Sequence, residues 1–177
     1  MKPRGAKNVT PTITGVSSAV YKEAWPNVDI EYELRGEAIK EIIILKNKKA
    51  TTTFNFDVDG GKVINHPTRI GELTIEGPPD EYSFSALTLS LEDRGVISEQ
   101  RVAQTPANSG KAIEIKVDDA WFKSQPASSF PMRIDPSYVK DAQTYWMFKS
   151  DGFGCNASNC YANVGALHDK GWKTRRT

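Results

Sequence analysis

Ile113-Glu114-Ile115-Lys116-Val117-Asp118-Asp119-Ala120-Trp121-Phe122-Lys123-Ser124-Gln125-Pro126 decides the fold class, together with Phe130-Pro131-Met132-Arg133-Ile134-Asp135-Pro136 shortly after it. Ile113, Ile115 and Val117 alternate with Glu114 and Lys116, the period of two that turns one set of side chains to a core and the other to water. The stretch reads as a half-buried β-strand. Trp121 and Phe122 follow as an aromatic plug at the end of the core. Pro126 and Pro131 fix φ and remove backbone donors around the link. Pro136 holds Asp135 out of the helical region, so a second short strand, and the sheet with it, is expected to end there.

Outward from this stretch the chain reads as short strands divided by turn residues, with no helix longer than about two turns. Val28, Ile30, Tyr32 and Leu34 share a face opposite Asp29, Glu31 and Glu33, and Arg35-Gly36-Glu37 turns the chain. Ile39 to Leu45 reads as a central strand buried on both sides. Phe54, Phe56 and Val58 face inward before the turn Asp59-Gly60-Gly61, with a return strand starting at Lys62. Leu73 and Ile75 alternate up to Gly77-Pro78-Pro79. Tyr82 and Phe84 sit on one parity and Leu87, Leu89 and Leu91 on the other, which a β-bulge near Ser85-Ala86 would reconcile. The polar stretch from Gln104 to Gly110 is expected to be the longest loop. This spacing, with Gly and Pro punctuation, predicts an all-β chain: an antiparallel β-sandwich over residues 12–140 with Ile30, Tyr32, Ile43, Phe54, Phe56, Ile115 and Ile134 buried.

The 177 residues carry 23 Lys and Arg against 22 Asp and Glu, a formal charge of +1. A chain of this length buries a self-sufficient core. Its balanced charge sets up no global field toward nucleic acid or an anionic membrane, and no apolar run approaches the ~20 residues that span a bilayer. Neither nucleic-acid binding nor membrane insertion is expected. Met1-Lys2-Pro3-Arg4 leads into polar sequence rather than a signal-peptide core, so either an excerpt of a longer secreted protein or another export route is expected.

Catalytic patterns give little. No Gly-x-Ser-x-Gly elbow, phosphate-binding glycine loop or His-Glu-x-x-His pattern occurs in the sequence. No catalytic residue, metal ligand or cofactor is assigned, and an enzyme is not expected. His66 precedes a proline and His168 lies in a polar tail, and both read as loop histidines. Adjacent carboxylates such as Asp118 and Asp119 can raise one pKa and prepare a general acid, but a strand end before Trp121 favours turn capping. Asp57-Val58-Asp59-Gly60-Gly61 has the alternating carboxylates of a calcium loop without its downstream bidentate Glu, and reads as a hairpin turn.

From Asp141 the composition changes. Tyr145, Trp146, Phe148, Phe153, Tyr161 and Trp172 stand among Gly, Asn and Ser, an aromatic, Gly/Asn-rich extension over residues 141–177. Exposed rings on a rigid β-scaffold stack on sugar C–H faces, so Tyr145, Trp146, Tyr161 and Trp172, with Asn156 and Asn159, are sugar-binding candidates. The competing reading makes these rings core or interface residues of a sheet completed by other sequence. Cys155 and Cys160 bracket Asn156-Ala157-Ser158-Asn159, a spacer that closes a disulfide loop where the Cα atoms come within about 7 Å. A zinc site would enlist both with His168 and Asp169, although such sites usually carry a second ligand pair, and two free thiols are the third reading.

The segment from Trp121 to Pro136 resembles W-L-x-D-P-x-x-x-Y-P-V-x-I-D-P-T of large secreted wall-associated and Rhs (YD-repeat) proteins. There it ends a β-rich domain just before a DNRLRE-type module. Tyr21-Lys22-Glu23-Ala24-Trp25-Pro26-Asn27-Val28-Asp29-Ile30-Glu31-Tyr32 resembles the family's Y-x-x-v-y-P-x-v-D-l-x-Y. Lys40 to Lys46 is similar to its K-E-x-I-V-L-K, and Thr53 to Val58 to its F-x-F-x-L. The resemblance runs over residues 16–138, with a poor match between 66 and 110. It implies an extracellular, cell-surface or secreted setting, favours oxidation of Cys155 and Cys160, and makes 141–177 the start of an incomplete DNRLRE-like module. The function it implies is a non-catalytic structural or adhesive module, a spacer, scaffold or attachment. Its partners would be other domains of a larger secreted protein or copies of itself. Because DNRLRE-like modules are similar to some carbohydrate-binding modules, the alternative is a module tethering a larger protein to cell-wall or extracellular polysaccharide.

Overall fold

The computed structural model describes residues 1–35, 38–76, 82–97, 100–135 and 138–140, all within the unit Met1–Lys140. These residues form two antiparallel sheets. With strands numbered along the chain, the smaller sheet runs β1 (Lys2–Pro3), β6 (Thr53–Asp57), β13 (Ala112–Val117), β12 (Val102–Ala107). The larger begins as a meander of β2 (Thr12–Ile13), β3 (Ser18–Trp25), β4 (Val28–Arg35) and β5 (Ala38–Leu45). Against the far edge of β5 lie β14 (Met132–Asp135) and β15 (Tyr138–Lys140). Beyond β14 come β10 (Thr88–Leu91) and β11 (Gly95–Val96). Beyond β15 come β9 (Tyr82–Phe84), β8 (Leu73–Glu76) and β7 (Lys62–Asn65). The chain is all-β and sandwich-like, as the alternation of its strands predicts.

Cross-strand partners show how the layers meet. Residues opposite each other in antiparallel strands share a face, so the inner face of the large sheet is a series of side-chain rows. One row is Trp25, Val28, Leu45 and Met132, and the next is Tyr21, Ile30, Ile43, Ile134 and Leu89. Phe54, Phe56, Ile113, Ile115 and Val117 of the small sheet are buried with them in one core. Trp25 packs edge-on against Phe54, with ring centroids 5.1 Å apart, and against Phe56 at 6.0 Å. Ile30, Ile43, Phe54, Phe56, Ile115 and Ile134 are buried as expected. Tyr32 is half-buried, because it stands on a row that the small sheet only borders.

Several local readings are overturned. The strand over 39–45 alternates instead of being buried on both sides: Glu41, Ile43 and Leu45 are buried, Ile42 and Ile44 half-buried and Ile39 exposed, because the second layer covers one face alone. Asp59-Gly60-Gly61 does not close a hairpin. β6 pairs with β1 and β13, and β7 pairs with β8, so this turn carries the chain from one sheet to the other. More than a bulge separates Phe84 from Thr88, for β9 and β10 take different partners on either side of the break. Gln104 to Ala107 is no loop but the last four residues of β12, an edge strand that tolerates Pro106 because an outward N–H there is not needed. The sheet also resumes after Asp135, where β15 returns to β5.

At the end of β13 the chain forms helix α1 (Asp119–Ser124). Asp118 caps it by accepting from the Trp121 amide at 3.0 Å, and Asp119 pairs with Lys123 at 2.6 Å. Both carboxylates thus serve the turn. Phe122, rather than Trp121, is the fully buried plug, edge-on to Phe130 at 5.3 Å. Trp121 is half-buried against the core, with the Arg101 guanidinium 5.7 Å above its ring.

Candidate functional site

The third inner row of the large sheet is Ile13, Ala19, Tyr32 and Glu41, and Leu34 with Ile39 begins a fourth. These positions have the inward parity of their strands, yet the small sheet borders the third row only at Glu41 and Tyr32 and stops short of Ile13, Leu34 and Ile39. Leu34 is 59% exposed, Ile39 39% and Ile13 72%, with Val16 fully exposed in the β2–β3 turn. Tyr21 and Tyr32, edge-on at 5.8 Å, mark the boundary between covered core and open apolar face. The exposed aliphatic side chains beside these rings thus form an apolar surface carried by hydrogen-bonded strands.

Glu41 lies just inside that boundary and is 1% exposed. The Tyr32 hydroxyl donates to its Oε1 at 3.1 Å, while Oε2 has no hydrogen-bond partner. Burial pushes the carboxyl up to about 7, against the smaller opposing effect of the Tyr32 hydrogen bond. Tyr32 is raised above its ordinary value, first by burial and then by the charge of Glu41. The neighbouring cavity, about 10 Å³ and lined by Met1, Phe56, Phe84, Gln104, Ile113 and Ile115 with Glu41, admits nothing larger than water. Glu41 is therefore a buried carboxyl that holds its proton to higher pH than an exposed one.

Other polar clusters tie elements together. The Gln104 amide donates to the carbonyls of Gly71 at 2.9 Å, Phe84 at 3.4 Å and Ser85 at 2.7 Å, joining β12 to the large sheet. Lys46 bridges Glu23 and Asp29, lying 3.0 Å from the latter, and holds the Glu23 carboxyl below its ordinary value. This cluster fixes the end of β3 and the β3–β4 turn: Glu23, at the irregular register of β3, and Asn27, in the turn, both adopt positive φ. Arg94 donates to Gln125 at 2.7 Å and Ser129 at 3.2 Å, binding the β10–β11 turn to the segment after α1. His66 Nδ1 accepts from the amides of Thr68 and Arg69, the work of a loop histidine. Asp57 pairs with Arg4. Among the described residues no group of three or more His, Cys, Asp or Glu is placed to hold a metal ion, and no helix is long and apolar enough to cross a membrane.

The sugar-binding candidates Tyr145, Trp146, Tyr161, Trp172, Asn156 and Asn159, the cysteines Cys155 and Cys160, and His168 lie outside the described residues. The sequence carries a signal for Glu41 but none for the open face. Glu41 is an acidic residue on the inward parity of β5, and Leu34 follows three core positions on the same parity of β4. No family model matches the chain, nor does any curated protein or solved structure.

Proposed function

We propose that the chain is a non-catalytic structural or adhesive module of a secreted or cell-surface protein, and that it attaches through the open end of the large sheet's inner face. The carrying observation is the apolar surface of Ile13, Leu34 and Ile39 on a sheet otherwise buried on that side. Such a patch is held rigid by the ladder beneath it, which lowers the entropy lost on docking. Its partners are other domains of the same protein or further copies of the chain. The sequence resemblance to wall-associated and Rhs proteins supports the extracellular setting.

Retention on two matrices tests this reading. The full chain should be held on immobilised copies of itself and lost from them after Leu34→Asp, while passing through peptidoglycan and polysaccharide columns. Retention on polysaccharide, unaffected by Leu34→Asp, would overturn it in favour of a carbohydrate-binding module.

A further inference from the structure

Residues 1–7 form a strap across one open side of the sandwich. Lys2 and Pro3 pair with Asp57 and Phe56 at the edge of β6, and the Arg4 amide donates to the Asn55 carbonyl at 2.8 Å. The Arg4 carbonyl accepts from the Trp25 indole at 3.2 Å, and the Lys7 amide donates to the Ala24 carbonyl at 2.7 Å. One short segment thus spans from the edge of the small sheet to the edge strand region of the large one. Arg4 pairs with Asp57 at the surface, and Met1 lines the cavity beside Glu41.

The hold is weak where the seat is strong. Pro3 and Ala6 are half-buried, and the other strap residues are exposed. Segments with few buried apolar contacts open at small cost in free energy. Beneath lie the β6 edge and the fully buried Phe56, which need cover by some extended segment. Asn8 to Pro11 joins the strap to β2 without secondary structure, and Pro11 biases Thr10 toward extended backbone, which lets the strap project away from its own domain.

We propose that the strap is exchangeable, and that its seat on β6 and β3 takes residues 1–7 of a second copy of this chain. The observed strap specifies the occupant: an apolar residue over the cavity, a ladder partner for Asp57 and Phe56, and a cation three positions on, opposite the Asp57 carboxylate. A second copy supplies all of these in the same order, and exchange of an identical element adds no new interface that has to be complementary.

The test uses two full-length variants, Arg4→Glu and Asp57→Arg, singly and mixed one to one. Each alone sets like charges against each other at its own seat. Mixing restores opposite charges at both seats only when the straps cross. Exposed ion pairs are individually weak, so switching two of them from repulsion to attraction strengthens association by on the order of tenfold. Each variant alone, whatever its association through the Leu34 face, should show fast hydrogen exchange at the amides of residues 4 and 7. The mixture should give a one-to-one heterodimer in native mass spectrometry with both amides protected. A mixture that behaves as the sum of its parts, or a heterodimer whose strap amides still exchange fast, overturns the proposal. Leu34 and Ile39 are unchanged in both variants, so failure here leaves the attachment face standing, and failure on the matrices leaves the strap standing.

Discussion

Glu41 shows how far one side chain sets the behaviour of the molecule. Its carboxyl moves from an ordinary 4.5 in the unfolded chain to about 7 in the folded one, because burial penalises the charged form. The folded state thus holds a proton that the unfolded state has lost. The corresponding stability is fully present below pH 4.5, falls as pH rises to about 7 and is flat above, a loss of about 3 kcal/mol. Glu41→Gln should abolish that slope and leave the chain more stable than the parent at pH 8, as urea denaturation at several pH values would show. Phe122 and Trp121 make a second contrast at this scale. Phe122→Ala should lose about 3 to 5 kcal/mol, the usual effect of emptying a core aromatic site. Trp121→Ala should lose clearly less, since its ring is half-buried and partly stacked under Arg101. Equal losses would place Trp121 in the core after all. The sequence marks both as a plug but not which one fills it: that depends on the Asp118 cap, which starts the helix so that Phe122 turns inward.

Among the elements, the β12–β13 turn is a tight fit between the layers. Asn108, Ser109 and Gly110 all have positive φ, and Gly110, at +84°, lies against β7. A Cβ there would come within 2.8 Å of the Val63 carbonyl oxygen. Both the left-handed backbone and the close approach require glycine. Gly110→Ala should lower stability by about 2 kcal/mol or more, measured as a shift in denaturation midpoint, with the sheets forced apart at this point. Period-two strands such as β4, β6 and β13 were legible because one covered face writes its alternation directly into the sequence. β12 was not, since Gln104 occupies an inward position and looks like loop until its three carbonyl acceptors are seen. Nor could local sequence tell that Asp59-Gly60-Gly61 crosses between layers, as a Gly-rich turn has the same composition whether its strands pair with each other or not.

At the scale of the whole molecule, the extent of each layer matters more than any motif. The open face exists because the small sheet covers the rows of Trp25 and Ile30 and ends before that of Leu34. No residue of β4 announces this, since Leu34 has the same character and parity as Val28 and Ile30. Coverage is a property of the opposite layer, which the strand's own sequence does not record. β5 finds the neighbours on its two edges at very different separations along the chain. On one edge it meets β4, which precedes it directly in the chain, but on the other Leu45 waits for Met132 and Ile43 for Ile134. During synthesis from the N-terminus the meander of β2 to β5 can zip up early, with its oily side bare and one margin unsatisfied. Closure across such a separation in the chain is slow, and an intermediate of this shape is prone to stick to its neighbours. Nascent chains halted before β14 emerges are thus the form of this protein most in need of a chaperone.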